Sequence, residues 1–195
     1  MVAGLGTPSQ GSIRLNGRNI TYTSPEQRSA MGLQLLPGGR GVFPTMTVAQ
    51  NLEMGAYLLR DDHRLRQERI DRVLELFPVL ADRRRQLAGS LSGGQQQQLA
   101  LARVMLHDPE VLIIDELSLG LAPIVVAELL ETLERLKEER GQTIVVVEQS
   151  LNVALQVADR AVFLEKGEVR FEGPAQELAD RDDLARAVFL GREGG

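Results

Sequence analysis

The feature that most constrains the fold is an apolar run that ends in two carboxylates. Residues 111–114 read Val-Leu-Ile-Ile, and Asp115 and Glu116 follow directly. Four consecutive apolar residues suit a strand that is buried on both faces, as in the parallel sheets of α/β proteins. In open α/β sheets, ligands bind outside the carboxyl ends of the strands. The run therefore predicts an α/β fold with a parallel sheet and places two acids where ligands bind.

The segments after this run continue an alternation of helix and strand. A helix is predicted from about Pro123 to Arg140, since proline suits the first helical turn. Residues 143–147 form a second apolar run and are predicted as a strand. A strand, a helix and a second strand in this order make the crossover connection of a parallel sheet.

Helical periodicity is also clear upstream, in residues 47–60 and 63–80, which we predict as helices. In the second of these, five apolar residues fall on one face: Ile70, Val73, Leu74, Phe77 and Leu80. We expect one domain over residues 1–195, with a small helical subdomain at about residues 45–105. A last helix is expected from about Arg181.

Composition limits the classes of function. Of the 195 residues 43% are hydrophobic and 25% charged, which is ordinary for a globular protein. The formal charge of -5 repels phosphate backbones, so general nucleic-acid binding is not expected. There is no cysteine, which excludes disulfides and thiolate metal sites. No signal peptide and no apolar run of membrane-spanning length is visible, so work at a membrane would require a partner.

Residues 91–103 read LSGGQQQQLALAR and begin another predicted helix. Ser92 offers a hydroxyl, and the following glycines let main-chain N–H groups approach an anion at the positive end of the helix dipole. This arrangement suits a phosphate clamp. A plain helix N-cap is the alternative role of the serine.

The same thirteen residues resemble the signature motif of the ATP-binding-cassette (ABC) family. The resemblance implies a P-loop NTPase-like parallel sheet flanked by helices, with a small helical subdomain, and ATP as the cofactor. It also implies which residues bind the nucleotide of a partner's site: Ser92, Gly93, Gly94 and Gln95.

The acids at 115 and 116 then resemble the Walker B segment of that family. The resemblance implies that Asp115 helps to hold Mg²⁺ and that Glu116 is the base that polarises the attacking water. Gln149 stands where the family's switch histidine contacts the γ-phosphate, and its amide can donate a hydrogen bond there. Strands that end in acids, and exposed polar strand ends, are common without any catalytic role.

Residues 118–123 (SLGLAP) resemble the dimer-contacting loop of branched-chain amino-acid importer ATPases, and so does the Glu-Gln pair that ends at Gln149. Three further positions depart from the family: Leu117 replaces the usual proline, Ala122 stands where many relatives carry aspartate, and Gly38 replaces a glutamine or glutamate. Glycine offers no side-chain oxygen to a metal or water.

Residues 37–44 resemble the family segment that meets the membrane subunit. Phe43 and Met46 suit apolar anchors for a helix of that subunit, and packing within the helical subdomain is an equally good alternative.

A phosphate-binding loop needs glycines and a lysine whose ammonium reaches the terminal phosphates. Only Lys137 and Lys166 are lysines, and both lie downstream of the signature, whereas the family places this loop upstream. Residues 3–17 resemble the segment that comes after the first helix of the family domain. The resemblance therefore implies that the first strand, the phosphate loop and the first helix are missing from this sequence.

Three functional hypotheses are compatible with these motifs. The first is an ATP-binding and ATP-hydrolysing subunit of an ABC importer, for branched-chain amino acids. Its partners are transmembrane permease subunits and a second ABC ATPase subunit, identical or different, at the cytoplasmic face of the membrane. The second is a non-hydrolytic subunit that contributes only its signature motif to a partner's ATP site. The third is a truncated remnant without function.

Overall fold

The computed structural model describes residues 1–39 and 41–180, so the helix expected from about Arg181 lies outside the described residues. The helices are α1 (Pro25–Ala30), α2 (Val48–Gly55), α3 (His63–Leu76), α4 (Pro78–Asp82), α5 (Gly93–Met105), α6 (Pro123–Arg140), α7 (Leu151–Val157) and α8 (Ala175–Ala179). The strands are β1 (Arg14–Leu15), β2 (Arg18–Asn19), β3 (Leu33–Leu36), β4 (Val111–Asp115), β5 (Thr143–Val147), β6 (Arg160–Glu165) and β7 (Glu168–Pro174).

A three-stranded parallel sheet, in the order β3-β4-β5, lies at the centre of the fold. Leu36 pairs with Ile114, and Asp115 pairs with Val147, so the carboxyl ends of the strands lie side by side. The predicted strands, the connecting helix and the parallel crossover are confirmed. The molecule is an α/β protein whose parallel sheet is flanked by helices, because β4 is too apolar to leave either face in water.

The main hydrophobic core lies between one face of this sheet and the helices α2 to α6. Leu112 and Ile114 project into it from β4, and both side chains are fully buried. Leu99 and Leu101 of α5 are also fully buried. Because α5 contacts the sheet as well as α2, α3 and α4, it joins the helical part of the molecule to the strands.

The predicted upstream helices form, but with different bounds. α2 ends at Gly55, where a Cβ atom would lie 2.9 Å from Leu106 Cδ1, and a separate 3-10 turn, Tyr57–Leu59, follows. Glycine allows this close approach, and because it is a poor helix former the helix ends there. The prediction of a single helix over residues 47–60 was therefore wrong.

The helix predicted over 63–80 breaks at Phe77 (φ -125°, ψ 74°), because the residue before Pro78 is forced out of the helical region. The five apolar residues of its predicted face are all buried, at 0% to 7% exposure. That residues 45–105 form a separate subdomain stays a prediction.

A second, smaller core covers the opposite face of the sheet at β3 and β4. It contains Ile20, Leu33 and Ile113, and the β1–β2 hairpin packs against it. Arg28 of α1 is 1% exposed, and its guanidinium donates hydrogen bonds to the carbonyl oxygens of Ile20 and Met1, each at 2.7 Å. These bonds attach the first residues of the chain to the hairpin.

The antiparallel hairpin of β6 and β7 forms a separate two-stranded sheet that packs on α8. Its outward face carries Val162, Leu164 and Val169, which are 56%, 61% and 57% exposed. Two side chains of β5, Val145 and Val147, are also 43% and 51% exposed. Apolar surface therefore remains uncovered on this side of the described structure.

Candidate functional site

The predicted acids and the predicted switch residue meet at the carboxyl ends of β4 and β5. Asp115 is the last residue of β4, and its side chain is exposed. The N–H of Glu116 donates to the carbonyl oxygen of Val147 at 2.9 Å, which extends the pairing of the two strands by one residue. Strand register thus brings Gln149 beside Glu116, although the two residues are 33 positions apart.

Glu116 and Gln149 are in direct contact. The Nε2 group of Gln149 donates a hydrogen bond to Glu116 Oε1 at 2.5 Å. A hydrogen bond to a carboxylate is stronger than one between neutral groups, and it fixes the orientation of both side chains. The two residues predicted to be catalytic therefore form one pair at the edge of the sheet.

The backbone of Glu116 adopts the left-handed conformation, with a φ of 52°. For a residue with a side chain this costs about 1–2 kcal/mol, and such residues are concentrated at functional sites. The next residue, Leu117, is fully buried in the main core. Its packing anchors the turn at the position where the family usually has proline.

Gly38 lies against the same acids. A Cβ atom at this position would be 3.3 Å from the carbonyl oxygen of Asp115 and 3.6 Å from Glu116 Oε2. A glutamine or glutamate, the usual residue of the family at this position, is absent. Position 38 is thus part of the site, but it supplies no side-chain ligand.

At the amino end of α5, the structure shows Ser92 as an N-cap. Its hydroxyl accepts a hydrogen bond from the N–H of Gln95 at 3.3 Å, and Gln95 Oε1 accepts one from the N–H of Ser92 at 3.1 Å. This capping box gives the serine the structural role of a helix cap. The first-turn N–H groups of Gly93 and Gly94 have no acceptor within the helix, so they can still bind an anion. Phosphate binding by residues 92–95 stays a prediction.

Gly94 also has a packing role. A Cβ atom there would lie 2.3 Å from Val125 Cγ1, and one at Gly93 would lie 3.5 Å from Leu121 Cδ2. The start of α5 therefore packs on the start of α6 and on the preceding loop. The predicted signature motif and the predicted dimer-contacting loop are neighbours in the fold.

Sequence reasoning missed Glu148. The N–H of Ser118 donates to Glu148 Oε1 at 2.8 Å, and the Ser118 hydroxyl donates to Glu148 Oε2 at 2.9 Å. Two local signals exist: Glu148 follows a predicted strand at the ligand-binding edge of the sheet, and it belongs to the Glu-Gln pair that resembles the importer ATPases. Its partner is 30 residues away, which no periodicity could reveal.

Phe43 is 40% exposed, and the Arg103 guanidinium lies 4.6 Å from the centre of its ring. Burial lowers the pKa of Arg103 from its ordinary value. The Phe43 N–H donates to Asn51 Oδ1 at 2.8 Å, which ties the loop to α2. Met46 is half-buried. Phe43 thus packs on one side and is open on the other, and its role as an anchor for a membrane subunit stays a prediction.

The donor set fits Mg²⁺ bound together with phosphates. In residues 1–39 and 41–180, no three or more acidic or histidine side chains are arranged to hold a metal ion. Magnesium is commonly held by one or two carboxylates together with phosphate oxygens and water, and the exposed Asp115 offers one such carboxylate. The two lysines lie elsewhere: Lys137 binds Asp159 at 3.2 Å, and Lys166 lies in the β6–β7 turn.

Among the described helices, none is both long enough and apolar enough to cross a bilayer.

Residues 1–118 match the family model described as "ABC transporter". The chain is 42% identical over 184 residues to the high-affinity branched-chain amino acid transport ATP-binding protein BraG of Pseudomonas aeruginosa, covering 94% of this chain and 77% of that protein. It is 35% identical over 185 residues to the probable branched-chain amino acid transport ATP-binding protein LivF of Archaeoglobus fulgidus, covering 95% and 78%.

A crystal structure of the ADP conformation of an ATP-binding cassette superposes with a TM-score of 0.86 at 21% identity, over 97% of this chain and 80% of that one. A nucleotide-free cassette from an ABC transporter gives 0.82 at 20% identity, over 96% and 80%. These structures confirm the predicted fold.

Proposed function

Because the chain belongs to the ABC transporter family, we propose that it is the ATP-binding subunit of an importer for branched-chain amino acids. The observation that carries the proposal is the Glu116–Gln149 pair beside Asp115, in a chain 42% identical to a branched-chain amino acid transport ATP-binding protein. The subunit acts at the cytoplasmic face of the membrane, where it binds transmembrane permease subunits.

The proposed site uses three side chains at the strand ends. Mg²⁺ bound with ATP neutralises phosphate charge, and the Asp115 carboxylate would hold it. The Glu116 carboxylate accepts the proton of the attacking water. Gln149 now donates to Glu116, and the same amide can donate to a phosphate oxygen, so it links the base to the nucleotide.

The start of α5 serves a second ATPase subunit in this proposal. The N–H groups of Gly93 and Gly94 bind the phosphates held by the partner, and the dipole of α5 favours negative charge there. The capping box keeps Ser92 and Gln95 in place at this helix end.

The lysine that binds the terminal phosphates is not among these 195 residues, and we infer that other residues supply it. The exposed Val145 and Val147 support this inference, because β5 has an uncovered apolar face. We expect the 195-residue chain alone to show no ATP turnover. We expect turnover when a strand, a GxxxxGK[ST] loop and a helix are joined before residue 1. The inference would be contradicted if the 195 residues alone hydrolysed ATP and if the Glu116→Gln change abolished that hydrolysis.

The base role is tested with this extended chain, in the importer reconstituted with its permease and second ATPase subunit. Glu116→Gln should lower ATP turnover by about 10²–10⁴-fold, because the amide cannot accept the proton. Glu131→Gln, an exposed change on α6, is the matched control and should leave turnover unchanged. Undiminished turnover in Glu116→Gln would exclude Glu116 as the base. Uptake of labelled leucine, isoleucine and valine by the same vesicles tests the substrate class.

The distant positions of both lysines favour a second candidate, a non-hydrolytic subunit that contributes only residues 92–95 to its partner's site. In a heterodimer with an intact partner, Ser92→Arg should then abolish turnover, and Glu116→Gln should leave it unchanged. Unchanged turnover in Ser92→Arg would remove this candidate.

A further inference from the structure

We propose that Glu148 is a positioning residue that holds the loop of residues 118–122 in place for contact with the second ATPase subunit. The proposal rests on the proposed function, since it requires a partner subunit. It is carried by the two hydrogen bonds that Glu148 accepts from Ser118, at 2.8 Å from the N–H and 2.9 Å from the hydroxyl. We call this pair of bonds the Glu148 clasp.

The clasp holds the first residue of the loop, and the carbonyl oxygen of Ala122 holds the other end by accepting from the N–H groups of Val125 and Val126 at 3.0 and 3.2 Å. Within the loop, the N–H of Leu119 reaches the carbonyl oxygen of Glu116 at 3.3 Å, and the N–H of Leu121 reaches that of Ser118 at 3.2 Å. Both bonds are longer than those of the clasp. Bonds to a carboxylate are also stronger than bonds between neutral groups. Loss of the carboxylate should therefore release the loop more than loss of any one backbone bond.

The outer side of the loop is open. Leu119 is 62% exposed, and Ile124 at the start of α6 is 69% exposed. Gly120 has a φ of 70°, and a Cβ atom there would meet nothing within 4 Å. Large apolar side chains held outward beside the start of α5 suit a protein partner better than water. The proposed occupant is the second ATPase subunit, because Leu121 lies beside the motif predicted to serve that subunit: a Cβ atom at Gly93 would be 3.5 Å from Leu121 Cδ2.

The clasp also connects this loop to the catalytic pair. Three consecutive residues bind the segment after β4: the Val147 carbonyl binds the Glu116 N–H, Glu148 binds Ser118, and Gln149 binds Glu116. A shift of Gln149 toward a phosphate therefore moves the attachment of the loop as well. Partner contact and the geometry at Glu116 are thus coupled through residues 147–149.

The first test uses the 195-residue chain itself. The chain has no cysteine, so Leu119→Cys creates a unique site for a nitroxide spin label. Adding Glu148→Ala should increase the mobile component of the label's spectrum several-fold. Glu148→Gln should restore most of the immobilised signal, because its amide can accept from the Ser118 N–H and donate to the hydroxyl. Glu131→Ala is the control for removing an exposed glutamate elsewhere.

A label that is no more mobile in Glu148→Ala than in Glu131→Ala would overturn the proposal. Ser118→Ala removes only the hydroxyl bond and should give an intermediate mobility of the label. This variant tests the clasp independently if the Glu148 variant misfolds. Thermal melts should show each variant folded.

The second test measures association with the second ATPase subunit in the assembled importer. Glu148→Ala should weaken association about tenfold, the effect of losing about 1.4 kcal/mol of hydrogen bonding to a charged group. Glu148→Gln should recover most of it. A mobile loop with unchanged association would overturn the role in partner contact. If the unmutated chain neither associates nor hydrolyses ATP in the assembly, the proposed function fails, and the label still decides whether the clasp holds the loop.

Discussion

Helix α5 and the region formed by β5 and the β6–β7 hairpin both carry several apolar side chains, but only those of α5 are covered. Leu99 and Leu101 of α5 are fully buried. In the second region, five apolar side chains are 43% to 61% exposed: Val145, Val147, Val162, Leu164 and Val169. The difference lies in tertiary packing and not in residue type.

On one face of the sheet, the side chains of β4 are covered and those of the outer strand β5 are not. Ile113 and Val145 are paired in register and face the same side of the sheet. Ile113 is 8% exposed because the small core with Ile20 and Leu33 covers it, whereas Val145 on the outer strand is 43% exposed. Exposed apolar patches of this kind mark contact surfaces. The first region therefore carries the stability of the described fold, and the second offers a surface for packing.

The largest predicted effect compares one leucine from each region. Leu99→Ala should lower the free energy of unfolding by about 2–5 kcal/mol, because it leaves a cavity in a fully packed core. Leu164→Ala, at a 61% exposed position, should change it by no more than about 0.5 kcal/mol. Urea denaturation of both variants measures the free energy of unfolding. Equal losses would refute the proposed contrast between the two regions.

A glycine tests how tightly the first region is packed. Gly94→Ala should destabilise the fold by about 1–3 kcal/mol, because its Cβ would lie 2.3 Å from Val125 Cγ1. Gly93→Ala is the control, since its Cβ meets Leu121 at an ordinary 3.5 Å. Adding Val125→Ala to the Gly94 variant should recover part of the loss in thermal melts. No recovery would show that the clash is not the cause.

The second region is tested at its exposed face. Val145→Thr should change the unfolding free energy by less than about 0.5 kcal/mol, since the side chain is already partly in water. The same change should reduce binding of the dye ANS and self-association in sedimentation experiments. A large loss of stability would mean that this face is covered in solution.

The smallest effect concerns pH. Burial lowers the pKa of His107, which follows α5, and the nearby Arg69 adds to the effect, while a backbone bond at Gly55 opposes it. The neutral imidazole is favoured in the folded state, so the unfolded chain binds more protons. The resulting stability is complete above the unfolded value of 6.5 and is lost as the pH falls through the lower folded pKa.

His107→Gln should therefore flatten the decline of stability between neutral and mildly acidic pH. His63→Gln, at an exposed position in α3, is the control and should leave the decline unchanged. Denaturation midpoints measured across this pH range compare the two variants. If the stability of His107→Gln declined with falling pH as steeply as that of the unmutated chain, His107 would not be the source of the decline.

Much of the fold could be predicted because its signals are local. The apolar run before Asp115 and the bounds of α6 and β5 depend on residues within a few positions of one another. The break at Phe77 also had a local signal, the proline that follows it. The candidate acids at 115 and 116 were predictable because the carboxyl ends of parallel strands meet at one edge.

The sequence by itself determined the α/β class, the parallel crossover, the family and the residue types at the sheet edge, since hydrophobic period and motif spacing encode these properties. Tertiary structure alone decided that Gln149 binds Glu116, that Glu148 holds Ser118 and that Gly94 packs on Val125. These contacts join residues about 30 positions apart. Strand register and helix packing set them, and neither leaves a pattern in the local sequence.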